Sequence, residues 1–248
     1  MDSMSIAVAS GMRSRTEALD LLANNIANAN TAGFKADREF YNLYTSPAAE
    51  ADDDASGVAT IPVVERHWTD FTEGTLSTTG NPLDVAIDGD GFFAVNGPAS
   101  QVLYTRNGNF RLGVGGELQT QNGYSVRGTT GRPVKLDATK DVSVSADGSI
   151  SQNGERVAQI QIVAMADNSA LEKAGSTYFR LSEATAVTRN AQLAKVQQGR
   201  LEMANGAPAE HAVRLVTIMR QFEMLQKALG LSADMARKSI EEVARVSG

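Results

Sequence analysis

Cysteine is absent from the 248 residues, which removes disulfides, thiolate zinc sites and cysteine nucleophiles. Histidine occurs twice, as His67 and His211, and tryptophan once, as Trp68. Two separated imidazoles without a motif around them assemble no nucleophile, base and orienting acid. Both histidines read as surface or interface residues, with His67 beside Trp68 as a packing position. No run approaches the roughly 18 apolar residues of a membrane-spanning helix. Residues 1–20 lack a basic stretch followed by an apolar one, and Arg13 and Arg15 stand where that core would be, so a cleaved signal is not expected. Cations number 23 against 29 anions, a net charge of −6, which argues against a general basic field for nucleic acid. With 42% hydrophobic and 21% charged residues, the chain has the balance of a folded, water-facing protein of one to two domains.

Glycine and proline are scarce at the ends. Residues 1–70 hold three glycines, 71–160 hold fourteen and the remainder five, and all six prolines lie from 47 to 208. Proline removes a helical donor and glycine costs about 1 kcal/mol in a helix interior, so the ends are free to be helical and the middle is not. Met4, Val8, Met12, Leu19, Leu22, Ile26 and Ala29 recur at helical spacing, predicting an amphipathic helix of about 25 residues. Asn24, Asn25, Asn28 and Asn30, then Thr31 and Gly33, favour its ending near residue 30. At the other end Leu215, Phe222, Leu229, Ala236 and Val243 take heptad position a, and Ile218, Leu225, Ser232, Ser239 and Val246 take position d. With Pro208 at its start, a helix over 209–246 would measure roughly 57 Å, longer than a small domain.

Between these ends, seven Asn-Gly or Asp-Gly pairs from residue 88 to residue 154 punctuate short alternating runs, the grammar of hairpins. Leu83, Val85 and Ile87 share a face. Further strands are predicted at 92–95, 102–106 turning at Asn107-Gly108 into 110–112, then 124–126, 142–144, 157–163 and 177–181. The acidic stretch 45–60 reads as a solvated connector. The predicted fold class is therefore α+β and multidomain. Residues 1–35 and 209–248 pair as an α-helical coiled-coil domain, 36–80 form a connector with extended or hairpin segments, and 81–208 form a central antiparallel β domain.

No catalytic, cofactor or metal site emerges. Asp88-Gly89-Asp90-Gly91 invites calcium, but the twelfth position from Asp88 is Ala99 where a hand-type loop needs glutamate, so it reads as a turn. Gly113, Gly115 and Gly116 fail as a phosphate cradle, because the third glycine of that motif falls on Leu118. The terminal helices are more telling. Two helices at opposite chain ends bury little by themselves, and long unpartnered helices are marginal in water. Either they layer on the chain's own sheet or they take partners from other copies or relatives, and the heptad stripe fits both.

Leu21-Leu22-Ala23-Asn24-Asn25-Ile26-Ala27-Asn28-Ala29-Asn30-Thr31-Ala32-Gly33-Phe34-Lys35 resembles the N-terminal signature of the bacterial flagellar rod and hook axial proteins. The likeness continues through Gly74-Thr75-Leu76, then Asn81-Pro82-Leu83-Asp84-Val85-Ala86-Ile87-Asp88-Gly89-Asp90-Gly91-Phe92-Phe93 and Tyr104-Thr105-Arg106-Asn107-Gly108-Asn109-Phe110. It closes with Gly199-Arg200-Leu201-Glu202 and Arg220-Gln221-Phe222-Glu223-Met224. The short length and the Pro-Leu-Asp-Val-Ala and Arg-Gln-Phe-Glu-Met forms resemble the proximal rod type, with distal rod and hook types as near alternatives. Where the family commonly has Glu-x-Ser-Asn-Val, this chain has Glu202-Met203-Ala204-Asn205-Gly206-Ala207-Pro208, and after Glu202 only Asn205 carries over.

The resemblance implies a structural subunit, not an enzyme, without cofactor. It implies export unfolded through the flagellar type III apparatus and polymerisation, with copies of itself and with proximal and distal rod proteins, into a periplasm-crossing rod. No nucleic acid and no membrane insertion are implied. The terminal helices would form an inner coiled-coil layer and the β domain an outer one; heterologous contacts that do not close generate such helical assemblies. Leu19, Leu22 and Ile26 are expected to pair with Leu215, Ile218, Phe222, Leu225 and Leu229. Asn24, Asn25 and Asn28 would either hydrogen-bond between neighbouring helices or cap a helix end. Phe40 and Tyr44 fit a loose export pattern, or the core of a hairpin. The different-class alternative is a stand-alone β-rich ligand-binding module.

Overall fold

Both ends of the chain are helical in the computed structural model, which describes residues 3–44, 61–182, 188–191 and 194–246. Helix α1 spans Ser3–Ala27 and helix α2 spans Pro208–Val246. Pro208 suits a first helical position, and Glu210 in the first turn with Arg245 in the last complements the helix dipole. Among the described residues, no helix is long and apolar enough to cross a membrane. The chain divides into two compact units, one made of Met1–Ala27, Asp37–Asp70 and Ala207–Gly248, the other of Asn28–Ala36 and Phe71–Gly206. Residues 28–36 thus group with the β body, whereas the sequence reading placed 1–35 with the helices. Their hydrogen bonds, described below, are the reason.

In the helical unit, strands β1 (Asp37–Tyr44) and β2 (Ile61–Thr69) form an antiparallel pair with an irregularity between Phe40 and Tyr41. Phe40 and Tyr44 lie in β1, but their side chains, like the acidic stretch 45–60, fall outside the described residues. His67 and Trp68 are exposed on β2, so the expected packing of this pair is not found. Helix α1 packs on α2 in antiparallel fashion: Ala18 and Leu22 meet Ile218, with Leu19 and Leu215 alongside, while Gly11 faces Leu225.

The buried face of α1 runs through Val8, Gly11, Ser14, Ala18, Leu22 and Asn25. This stripe is rotated from the one that hydrophobicity alone selects, because small residues at the contact let the helices approach. A methyl group at Gly11 would lie 3.5 Å from Leu225 Cδ1, ordinary contact. Gly11→Ala is therefore expected to raise stability by about 0.5–1 kcal/mol through helix propensity, seen as a higher thermal midpoint. Gly11→Leu should lower it by about 1–3 kcal/mol through overpacking.

The β unit carries a nine-stranded antiparallel sheet. Its main path runs Leu171–Lys173, Tyr178–Leu181, Val102–Thr105, Phe92–Asn96, Ser125–Val126, Leu118–Thr120 and Phe110–Leu112, and Ile162–Met165 branches off, pairing with Phe92–Asn96 on one side and Thr188–Asn190 on the other. A three-stranded sheet joins Val142–Val144, Ser149–Gln152 and Glu155–Gln159. Asn153 and Gly154 both have positive φ, 51° and 83°, as the tight hairpin turn between the last two requires. Leu83 packs against the core that holds Val85, Ile87 and Phe93.

Two expectations are corrected. The stretch 157–163 is not one strand: pairing is handed over at Ile160, which bridges Gly128. The strands on either side of Asn107-Gly108 are not partners. Gly108 serves a close approach instead, for a Cβ there would lie 1.7 Å from the Val85 carbonyl oxygen, whose own N–H donates to Gly108 O at 3.1 Å.

Candidate assembly interface

The seam between the helices draws together some of the residues expected there. Leu22 is buried at 2% exposure, Leu19 and Leu215 are half-buried against it, and Ile218 closes the cluster. Phe222 and Leu225 are half-buried further along α2. Ile26 and Leu229, by contrast, are each 38% exposed and stand outside this cluster. Asn24 is exposed. Asn25 is buried and its amide serves its own chain, donating through Nδ2 to Asp37 O at 2.8 Å and accepting from Asp37 N at 3.0 Å through Oδ1. It therefore fixes the start of β1. Asn28 accepts from the Thr31 N–H at 2.9 Å through its carbonyl, as residues closing a helix do.

His211 sits in the first turn of α2 with Nε2 buried and without a hydrogen-bond partner. Burial lowers its pKa below the ordinary 6.5, Arg214 and Arg38 push the same way, and Glu210 opposes them. The unfolded chain therefore binds this proton more tightly than the folded one. Stability contributed by neutral His211 should be complete above pH 6.5 and decline as pH falls through the lowered folded value. Thermal midpoints measured from pH 8 to 5 should show this loss, and His211→Gln should flatten that part of the profile.

The family-like motif residues converge elsewhere, inside the β unit. Lys35, 0% exposed, places Nζ 2.6 Å from Glu202 Oε1 and donates to Thr72 O at 2.5 Å. Arg106 Nη1 stands 3.2 Å from Glu202 Oε2, Nη2 donates to Gly89 O at 2.9 Å, and the guanidinium lies 5.2 Å from the centre of the Phe92 ring. Gly74 N donates to Glu202 Oε1 at 3.0 Å. Both oxygens of Glu202 are thus taken by protein donors, which makes it a counterion shared by two buried cations. Desolvation lowers the Lys35 pKa, and Glu202 resists that shift.

The same segment is held along its length. The Gly33 N–H donates to Glu202 O at 2.7 Å, and the Ala36 N–H donates to Asn205 Oδ1 at 2.8 Å. Phe34 is buried beneath Lys173, whose Nζ lies 4.6 Å from the ring centre and donates to Lys35 O at 2.8 Å. Asp84 is buried and accepts from the amides of Asn81 and Asn109 at 3.2 and 3.1 Å. Gly91, Phe92 and Phe93 are buried, Leu83 is half-buried, and Asn30 and Pro82 are exposed. Lys35 and Glu202 were motif letters in the sequence reading. Nothing local marks them as a pair, since 167 positions separate them.

Comparison with known proteins matches the chain to three family models: "Flagella basal body rod protein" over residues 7–35, "Flagellar hook protein FlgE/F/G D1 domain" over 86–152, and "Flagellar basal body rod FlgEFG protein C-terminal" over 197–242. The flagellar basal-body rod protein FlgF of Caulobacter vibrioides is 34% identical over 92% of this chain and 93% of its own. The chain belongs to the flagellar basal-body rod protein family. The FlgF protein of Mesorhizobium japonicum is 30% identical over 96% of this chain and 98% of its own. The FlgG protein of Bacillus subtilis is 30% identical over 93% and 95%. Within this rod-family chain each of the three matched regions contributes one charge to the buried cluster: Lys35 from the first, Arg106 from the second and Glu202 from the third.

Proposed function

We propose that this protein is a structural subunit of the flagellar basal-body rod, assembled with other rod proteins through its terminal helices. The single observation carrying this reading is that α1 and α2, from opposite ends of the chain, share one unit, and that most of each is covered by a rod-family match. In this reading Leu19, Leu22, Leu215, Ile218, Phe222 and Leu225 form a coiled-coil-like core of the axial layer. Ile26 and Leu229, which are exposed, are left to neighbouring subunits. The β unit would form the outer layer, and the protein would reach the periplasmic rod by flagellar type III export.

Deletion of the gene tests this. The expected result is loss of swimming, with basal bodies halted before the hook and recovery on restoring the chain. Swimming cells with complete hooks would overturn the reading. Likeness to FlgG proteins makes a distal-rod position the second reading, and the stage at which assembly halts separates the two. A ligand-binding module predicts heat on titrating glycans or metal ions at millimolar concentration, and none is expected.

A further inference from the structure

The β unit is built from two pieces of chain, Asn28–Ala36 and Phe71–Gly206, and so has four chain ends. One side chain, Asn205, holds three of them together. Its Oδ1 accepts from the Ala36 N–H at 2.8 Å, and its Nδ2 donates to Thr72 O and to Thr72 Oγ1, each at 3.2 Å. The backbone leads it there: Arg200–Glu202 pairs with Leu76–Thr78, the Met203 N–H donates to Thr75 O at 2.9 Å, and the Asn205 amide adds a further rung. A Cβ on Gly74 would lie 1.9 Å from Met203 O, so these two segments run in close contact. Phe71, beside Thr72, is anchored edge-on to Phe92 and Phe179, with ring centres 5.7 and 5.1 Å apart. The contacts specify asparagine, because a backbone N–H only donates and a carbonyl oxygen only accepts, so one short side chain must supply both an acceptor and a donor. Aspartate lacks the donor, alanine lacks both, and glutamine is one carbon longer.

We propose that Asn205 is a positioning residue for assembly: it preorganises the points at which the chain enters and leaves the β unit, so that fewer residues are ordered when a subunit is added. The inference rests on the rod reading above and adds which residue prepares the subunit for it. Every copy in a repeating polymer presents the same geometry to its neighbours. A segment that is loose beforehand gives up its freedom on binding, which weakens association, and the apparent affinity falls with the fraction of molecules already in the competent arrangement. With Asn205 in place, residues 36, 72 and 205 are fixed relative to one another before any neighbour arrives. Without it, the run 204–207 loses its side-chain anchor, since Ala204, Gly206 and Ala207 carry no polar side chain to replace it. The clasp also touches the buried charges, for Thr72 O accepts from Lys35 Nζ as well.

Three variants test this, each as the isolated full chain and in cells that also carry a tagged unmodified copy. Asn205→Ala should speed amide exchange at Ala36 and Met203 at least tenfold and leave Ala94 and Val134, hydrogen-bonded inside the body, within about threefold. Asn205→Asp keeps an oxygen for Ala36 and loses the donor to Thr72, so Met203 alone of that pair should speed up. Val134→Ala, at a core position 2% exposed, supplies a loss of stability without a loosened chain end. Isolated basal bodies should hold Asn205→Ala at least tenfold below the unmodified copy, and Val134→Ala within about twofold of it. Equal entry of Asn205→Ala despite accelerated exchange at Ala36 and Met203 would overturn the proposal, as would unaltered exchange at both. Exclusion of Val134→Ala as strong as that of Asn205→Ala would also overturn it, because stability alone would then set entry. If Asn205→Ala does not fold, Asn205→Asp takes its place, with exclusion from basal bodies expected and equal entry overturning. Failure of the unmodified copy to enter basal bodies would instead overturn the rod reading.

Discussion

Replacing Glu202 by Gln should destabilise the β unit by about 3–5 kcal/mol, the usual cost of breaking one partner out of a buried ion pair. The substitution keeps the side-chain shape and removes the charge that Lys35 and Arg106 share at 2.6 and 3.2 Å. Glu73 lies 3.9 Å from Arg106 but is partly exposed, too solvated to compensate two cations. Urea unfolding should show the loss as a lower midpoint with unchanged slope. Amide exchange at Gly33 and Ala36 should accelerate, because both N–H groups bond to the strand end and loop that Glu202 organises. Converting all three charges to apolar side chains should cost less than Glu202→Gln, since no uncompensated charge stays buried. If the single change cost as little as a surface ion pair, about 1 kcal/mol or less, the cluster would not be holding residues 28–36.

Gly33→Ala should be comparably severe, about 3 kcal/mol or more. Gly33 has φ of +68°, and a Cβ there would lie 2.2 Å from Asn107 N and 2.5 Å from Arg106 C, backbone atoms with nowhere to move. Relief requires lifting the segment that carries Lys35. Gly154→Ala is the control: φ is +83° but nothing lies within 4 Å, so only left-handed strain remains, about 1 kcal/mol. The difference between the two variants, measured by the same urea unfolding, isolates the close contact from the backbone conformation.

The terminal helices were legible because proline, glycine and heptad spacing act within a few residues of one another. Helix α2 begins at Pro208, one residue from the expected start. The face of α1 was less legible. Hydrophobic periodicity selects Leu19 and Ile26, whereas the buried stripe includes Gly11, Ser14, Ala18 and Asn25, residues chosen for closeness and for Asn25's bonds to Asp37. Asn-Gly pairs showed where the chain turns but not what it pairs with: Asn153-Gly154 closes a hairpin, while Asn107-Gly108 lets backbone pass backbone. The charge cluster was illegible because Lys35, Arg106 and Glu202 meet only once the sheet has brought distant segments together. Their motifs pointed to the family without stating why those letters recur.

The β body is discontinuous, with Asn28–Ala36 as its detached piece. It is therefore not a portable cassette. A fragment cut as 71–206 would retain the arginine and the glutamate but forfeit the lysine and the buried Phe34 ring beneath Lys173, leaving an unfilled slot along its surface. A synthetic peptide copying residues 28–36, added in trans, should occupy that slot and restore the missing order.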